Sequence, residues 1–460
     1  MRNAVSLLGS ADDKVQCVIL AAGQGTRMKS QQPKVLHQIA GKPMVQYAID
    51  AASTIGSRRP IVVIGHGAEL VQKTIGDRAD SVLQAPQLGT GHALLQARAQ
   101  IDPACEMVLV LYGDTPFLSV ETIQRLLKAH RAAQAVLSLV TFMPDDPALY
   151  GRIIRDEQGR LLDIVEYKEA TPEQRAIREV NSGIFCYQTP WLLEHLDQLQ
   201  PRAGHGEYYL TDLVNIAATK GAITATCSCA EAEVLGINDR AQLAAAERLM
   251  REKINTQHML NGVTLIDPAT TYIEASVTIG PDTIIYPGSH LKGKTIIGRE
   301  CAIGPNAIVE NSQIGDRVKI VASMIESAII EDGADIGPFS HLRKGAHLCA
   351  GVHVGNFAEV KDSTLGPGTK QGHFSYLGNA TIGANVNIGA GTITCNYDGQ
   401  HKYPTTIGDS AFIGSDTMLV APVNIGHDAR TGAGSVVTHD VKDNDLVYGV
   451  PARPQMTSDE

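Results

Sequence analysis

Two hydrophobic rhythms divide the chain. Up to about residue 238, short unbroken apolar runs alternate with segments whose apolar residues recur every three or four positions. The runs Val15–Leu20, Ile61–Ile64, 82–84 and 108–112 predict strands, and segments 44–53, 68–74, 91–100 and 120–132 predict the helices between them. Continuous apolar strands separated by helices predict a mostly parallel sheet covered on both faces, a Rossmann-like α/β domain over 15–238. Ligands of such sheets bind beyond the carboxyl ends of the strands. The loops after Val15–Leu20 and after 108–112 are therefore the places to look.

Residues 239–261 are charged, rich in Ala and Leu and free of Pro and Gly, and predict a linking helix. Beyond it the period becomes six. Ile279, Ile285, Leu291, Ile297, Ile303 and Val309 are evenly spaced, as are Ile330, Ile336, Leu342, Leu348, Val354 and Val360, and again Ile407, Ile413, Leu419 and Ile425. Gly commonly follows the aliphatic residue, with a small or branched residue three further on. Neither helices nor ordinary strands have a period of six. The repeat predicts a parallel β-helix of hexapeptide repeats over 262–453, with one face per hexad and three faces per coil. Two breaks stand out. Gln371 takes an inward position beside Gly372-His373-Phe374-Ser375-Tyr376, and a polar excursion, T-C-N-Y-D-G-Q-H-K-Y-P-T-T, separates Ile393 from Ile407. A long loop thrown from a rigid solenoid predicts function or an oligomer contact.

Composition narrows the class. A formal charge of −10 argues against a general nucleic-acid surface, and no apolar stretch approaches the ~20 residues of a membrane helix. The cysteines Cys17, Cys105, Cys186, Cys227, Cys229, Cys301, Cys349 and Cys395 are scattered without a C-x-x-C pair, which predicts reduced thiols and a cytoplasmic protein. Residues 1–14 show no signal-peptide pattern and predict a loose extension; 454–460 form a short tail without a basic stretch.

The loop after the first strand, L-A-A-G-Q-G-T-R-M, suggests backbone amides brought close to phosphate. It is neither a P-loop, which ends in Gly-Lys-Ser/Thr, nor a dinucleotide fingerprint, whose third glycine is Met28 here. Taken singly, Asp114 reads as a turn or capping residue, Arg27 and Lys34 as surface charges, and His373 as one of 15 histidines. Arg343 and Lys361 are eighteen residues apart, one full coil, and so stack on one face of the prism.

The loop with Pro33-Lys34 and Gly113-Asp114 resembles the sugar-1-phosphate nucleotidyltransferases, and the repeat resembles the left-handed β-helix acyltransferases, which implies that the β-helix is left-handed. Q-L-G-T-G-H-A and N-I-G-A-G-T-I-T-C-N-Y-D-G extend the likeness to nearly the whole chain. Together they resemble the bacterial bifunctional N-acetylglucosamine-1-phosphate uridyltransferases and glucosamine-1-phosphate acetyltransferases. The resemblance implies acetylation of glucosamine-1-phosphate by acetyl-CoA in the second half, then Mg²⁺-dependent uridylyl transfer from UTP in the first, yielding a sugar nucleotide for cell-wall synthesis. It implies that Leu20, Ala21, Ala22 and Gly23 approach the nucleotide, that Arg27 and Lys34 hold phosphates, and that Gln84, Gly89 and Thr90 read uracil. Tyr112, Gly113, Gly151, Glu166 and Asn181 would line the remainder of that site, and Asp114 with Asn238 would bind the metal. In the second half it implies His373 as base and Arg343, Lys361, Tyr376 and Asn387 as sugar-phosphate contacts. Ala390, Asn396, Tyr397, Ser415, Ala433 and Arg453 would line the acetyl-CoA site. Some relatives carry arginine before the Val-Pro near the end; here Gly449 precedes Val450-Pro451 and Arg453 follows. The likeness also implies a homotrimer assembled through the β-helix, with small molecules as its other partners and neither nucleic acid nor membrane. Two rivals are a single-activity nucleotidyltransferase with a structural or regulatory β-helix, and a non-catalytic assembly protein. His373 with the excursion opposes the first, and Arg27, Lys34, Asp114 and Asn238 together oppose the second.

Overall fold

The computed structural model describes residues 12, 14–147, 150–202 and 206–454. The predicted loose extension falls almost wholly outside the described residues, as does the tail beyond Pro454. Two compact units divide the chain, Met1–Glu247 and Arg248–Glu460, and the division falls within helix Arg240–Leu260, the one predicted over 239–261.

The first unit is built on a twisted sheet. Across its width the strands run Thr224–Ser228, Leu137–Phe142, Val180–Gln188, Met107–Tyr112, Val15–Leu20, Ile61–Ile64 and Asp80–Leu83. The run Val15–Leu20 is buried throughout because it is a central strand, paired in parallel with Ile61–Ile64 on one side and Met107–Tyr112 on the other. Its residues alternate between two cores: Cys17 and Ile19 pack on one face, Val18 and Leu20 on the other. Among these seven, one strand departs from the parallel arrangement. Val180–Gln188 runs antiparallel to both neighbours, and its register shifts between Asn181 and Phe185, which re-aims the side chains at that end.

Boundaries differ where polar residues take part in the ladder. The strand predicted at 82–84 is Asp80–Leu83, because polar Asp80 and Ser81 pair with Ile61 and Val62 at the sheet edge. The helix predicted over 91–100 begins at Thr90 and tightens into a 3-10 turn at Arg98–Gln100.

The second unit is the β-helix that the period of six predicts, of the left-handed hexapeptide kind that the resemblance implies. Two- to four-residue strands stack in parallel into three sheets, so that each face gains one strand per coil. Inward positions such as Ile285, Ile303, Ile336, Val354 and Ile413 are fully buried and stack on one another, each contributing roughly 1.5–3 kcal/mol of apolar burial. The small residues three beyond each glycine are also buried, and several bond the next coil: Thr283 Oγ1 donates to Gly298 O at 2.8 Å and Thr369 Oγ1 to Gly383 O at 2.7 Å. The glycines stack because adjacent coils meet there. A Cβ on Gly298 would lie 2.5 Å from the carbonyl oxygen of Gly315.

Candidate functional site

In the first unit a cleft of about 460 Å³ opens beyond the carboxyl ends of the central strands. Leu20, Ala21, Ala22 and Gly23 form one wall, Gln84, Gly89 and Thr90 another, and Tyr112, Lys34 and Asp114 close the floor. Gly25 shapes this turn. It holds a left-handed conformation (φ 62°), and a Cβ there would lie 2.6 Å from the Cβ of Lys34. Lys34 thereby lies directly under the loop.

The ammonium of Lys34 bridges two oxygens. It donates to Asp114 Oδ2 and, at 3.1 Å, to Asn238 Oδ1, with the Lys34 and Asp114 side chains only 13% and 16% exposed. Asn238 is oriented for this: its Nδ2 donates to Gly236 O at 3.3 Å, which turns Oδ1 toward the lysine. The segment is docked by Ile237 N, which donates to Asp114 O at 3.1 Å. Asp114 and Asn238, 124 positions apart in sequence, thus aim hard oxygen donors at a point already occupied by a cation, and that donor set fits Mg²⁺.

Gln84 is buried, and its Nε2 donates to Gly89 O at 2.9 Å and approaches His92 Nδ1 at 3.1 Å. These two partners fix the orientation of the amide. Glu166, which on sequence alone could face water, is half-buried; burial raises its pKa, against the pull of Arg202. A Cβ on Gly151 would meet Glu166 Oε1 at 3.4 Å, Asn181 N donates to Gly151 O at 2.9 Å, and Asn181 Oδ1 accepts from Gly183 N at 2.9 Å. Gly183 in turn backs onto the Tyr112 ring. Burial and the charges of Asp114 and Glu166 push the Tyr112 phenol far above its ordinary range, so it is a neutral hydroxyl. Tyr112, Gly151, Glu166 and Asn181 are therefore brought together. Gly113 anchors its loop by donating its N–H to Leu20 O at 3.0 Å, whereas Arg27 is exposed on the turn Thr26–Met28, outside the cleft lining.

In the second unit the pairings place Gln371 beside Ile388, Ile388 beside Ile413, and Thr431 beside Val447, while Phe412 faces Arg430. Two residues beyond each lie His373, Ala390, Ser415, Ala433 and Gly449, which form one column along a corner of the prism. At about 4.8 Å per coil the column spans roughly 20 Å. The expected base and three expected acetyl-CoA contacts share this edge. The rung before Val450-Pro451 is Gly449; Arg453 sits on the return strand opposite Tyr448, with its guanidinium donating to Ala452 O at 3.2 Å.

His373 is exposed at the turn into the next face. Beneath it Gln371, fully buried between Val354 and Ile388, donates its Nε2 to Ser375 Oγ at 2.9 Å, and Ser375 Oγ donates to His373 O at 2.9 Å. Gln371 Oε1 has no partner. On the face that follows, Leu342 pairs with Val360, so Arg343 and Lys361 are level, as their spacing predicts. Arg343 Nη1 donates to Glu359 Oε1 at 2.7 Å, and Glu359 pairs with Tyr376 in the next coil. Asn387 lies on the adjoining face, paired with Lys370 and Phe412.

The excursion is a small hairpin bridged between Tyr397 and Lys402, its tip closed by Asp398 accepting from Gln400 N and His401 N. Asn396 is buried, with Nδ2 donating to Asn379 Oδ1 at 2.6 Å, whereas Tyr397 is exposed. The hairpin returns Lys402 to Lys361, whose pKa is lowered chiefly by Lys402 and further by Arg343. Lys402 is the residue sequence reasoning missed. Arg343, Lys361 and Lys402 crowd like charges together, as an anion site requires.

A MobA-like NTP transferase domain model matches residues 17–179, a bacterial transferase hexapeptide (six repeats) model matches 276–311, and a model of the hexapeptide repeat of succinyl-transferase matches 404–439. The bifunctional protein GlmU of Geobacillus sp. is 47% identical over 94% of this chain and 95% of its own length. That of Heliobacterium modesticaldum is 48% identical over 93% and 94%, and that of Fervidobacterium nodosum 49% over 95% and 94%. With both units covered at such identity, the chain belongs to the family of the bifunctional GlmU proteins.

Proposed function

We propose that the chain makes UDP-N-acetylglucosamine in two steps, one in each unit. In the second unit the amine of glucosamine-1-phosphate attacks the acetyl-CoA thioester. The C–N bond forms, the C–S bond breaks, and His373 takes the proton from nitrogen and passes it to the departing thiolate. Arg343, Lys361 and Lys402 hold the sugar phosphate, with Tyr376 on the sugar. Coenzyme A runs along the corner of Ala390, Ser415 and Ala433 and is flanked by Asn396, Tyr397 and Arg453. The exposed imidazole of His373 above its buried Gln371–Ser375 brace is the observation that carries this reading, because a purely structural β-helix has no use for a polar side chain at an inward position.

In the first unit a phosphate oxygen of N-acetylglucosamine-1-phosphate attacks the α-phosphorus of UTP and pyrophosphate leaves. No base is needed, since the nucleophile is already an anion; the task is to align two anions that repel. Arg27 and Lys34 neutralise phosphates, and Gln84, Gly89 and Thr90 read uracil. Tyr112, Gly151, Glu166 and Asn181 contact the sugar and ribose. Asp114 and Asn238 would hold Mg²⁺, which when bound supplies positive charge to the phosphates.

The β-helix assembles as a homotrimer. Phe339, Phe357 and Phe374, 61%, 61% and 56% exposed, lie in successive coils at the turn that carries His373, the first two rings stacked at 5.5 Å, and form an apolar ladder suited to a second copy. Asn387, on another face from Tyr376, then reaches the sugar from a neighbouring copy. Eight free cysteines fit a reducing cytoplasm, and no helix among the described residues is long and apolar enough to cross a membrane. Incubating the protein with glucosamine-1-phosphate, acetyl-CoA, UTP and Mg²⁺ tests the pair of reactions. UDP-N-acetylglucosamine should form only when all are present, and its absence from folded trimer would refute the reading.

A further inference from the structure

Around one coil of the second unit His341, His347 and His353 follow at six-residue spacing, one on each face. Each meets a carboxylate of the preceding coil. His341 Nε2 lies 2.7 Å from Glu326 Oε2, His347 Nε2 2.8 Å from Glu331 Oε1, and His353 Nδ1 3.0 Å from Asp335 Oδ2. Two of these pairs remain pairs. The third gains a soft donor, because Cys349 brings its Sγ to a point where it, an imidazole nitrogen of His347 and an oxygen of Glu331 all lie within 4.8 Å of one another.

The backbone fixes this grouping. Alternate residues of an extended strand face the same way, so His347 and Cys349 share the outer side while Leu348 is buried between them. Ile330 pairs with Leu348, which sets Glu331 level with Cys349, and Glu331 N donates to Leu348 O at 2.8 Å. The second Glu331 oxygen accepts from Ala350 N at 3.1 Å, which orients the carboxylate. All three residues are partly exposed, so solvent reaches the centre of the group.

We infer that Glu331, His347 and Cys349 form a binding site for a soft divalent cation of the Zn²⁺ type, with its remaining position open to water. Sulfur, nitrogen and oxygen donors together suit zinc and are a poor match for Mg²⁺ or Ca²⁺, which take oxygen alone. A tetrahedral ion about 2.0–2.3 Å from each donor needs donors about 3.3–3.8 Å apart. The His347–Glu331 spacing of 2.8 Å falls below that range and Cys349 Sγ lies no more than 4.8 Å from either, so small side-chain rotations suffice. On binding, the Cys349 thiol gives its proton to solvent, and the His347 ring keeps a single proton on Nδ1, so that Nε2, which now donates to Glu331, is left with a free lone pair for the metal. Because Glu331 and His347 belong to consecutive coils, the ion clips one coil to the next.

The test uses the full chain, freed of metal by chelator and titrated with Co²⁺ as a coloured substitute for Zn²⁺. Binding of one Co²⁺ per chain should raise a thiolate-to-cobalt charge-transfer band that Zn²⁺ abolishes, and Zn²⁺ should raise the melting temperature. The band should vanish in Cys349→Ser and affinity should fall at least tenfold in His347→Gln, while His353→Gln, from a two-donor pair, keeps both. Matching melts in chelator establish that the variants fold; where Cys349→Ser fails this, Cys349→Ala takes its place. No thiolate band, or a band that survives loss of Cys349, would overturn the inference.

Discussion

At the scale of single residues the first site turns on Lys34, whose ammonium ties Asp114 to Asn238. Asp114→Asn should lower pyrophosphate release from UTP at least a hundredfold while acetyl transfer, measured on the same preparation, changes less than twofold. Equal loss of both would mean that Asp114 supports the fold rather than the reaction. Lys34 and Asp114 were legible because short motifs carry them, whereas Glu166, just past strand Leu161–Val165, and Asn181, on strand Val180–Gln188, acquire meaning only when the folded sheet brings them to Tyr112. Lys402 was illegible, since it lies outside the repeat that gave every other position of that face a predictable address. Gln371 makes the opposite case. A buried acceptor without a partner costs roughly 1–3 kcal/mol, so Gln371→Val should raise the melting temperature of the second unit. It also removes the brace beneath His373, and acetyl transfer should lose about tenfold in kcat with little change in KM. A stabilised variant with unchanged kcat would show that the brace has no part in the chemistry.

Among the elements, helix Val120–Ala133 carries a titration of its own. His130 is buried with Nδ1 2.8 Å from Ser138 Oγ, and burial, helped by Arg131, lowers its pKa from 6.5 to about 4. Between these values the unfolded chain binds a proton that the folded one refuses. Stability is therefore fully present above pH 6.5 and falls by about 3 kcal/mol as pH drops to 4. Trp191, the one tryptophan, is in this unit, and its fluorescence in urea should report the loss. His130→Gln should flatten that pH dependence, and an unchanged slope would exclude His130 as its source. On the second unit, Lys402→Ala and Lys361→Ala should each raise KM for glucosamine-1-phosphate about tenfold, with a smaller change in kcat. Loss confined to kcat would place these lysines elsewhere than on the phosphate. The β-helix was legible almost to the residue because one apolar position in six must face a narrow prism. The sheet was less so: its polar edge strand Asp80–Leu83 and the reversed strand Val180–Gln188 are set by neighbours, not by a local pattern.

For the whole molecule, two unlike folds on one chain are joined by the logic of consecutive reactions, in which the acetylated sugar phosphate made by one unit is the nucleophile of the other. The prism supplies a straight corner along which we place coenzyme A, and the doubly covered sheet supplies a cleft beyond its strand ends in which we place the nucleotide phosphates. Each device belongs to its own fold, so the two activities should separate cleanly by mutation. The claim that the β-helix is an enzyme, rather than a support for the first unit, rests on His373. The most direct test is thiol release from acetyl-CoA with glucosamine-1-phosphate, for the wild-type chain and for His373→Ala. Sugar-dependent release that falls at least a hundredfold in the variant, with uridylyl transfer retained, is the predicted result. Equal release from both proteins, or none from folded wild-type trimer, would contradict the account.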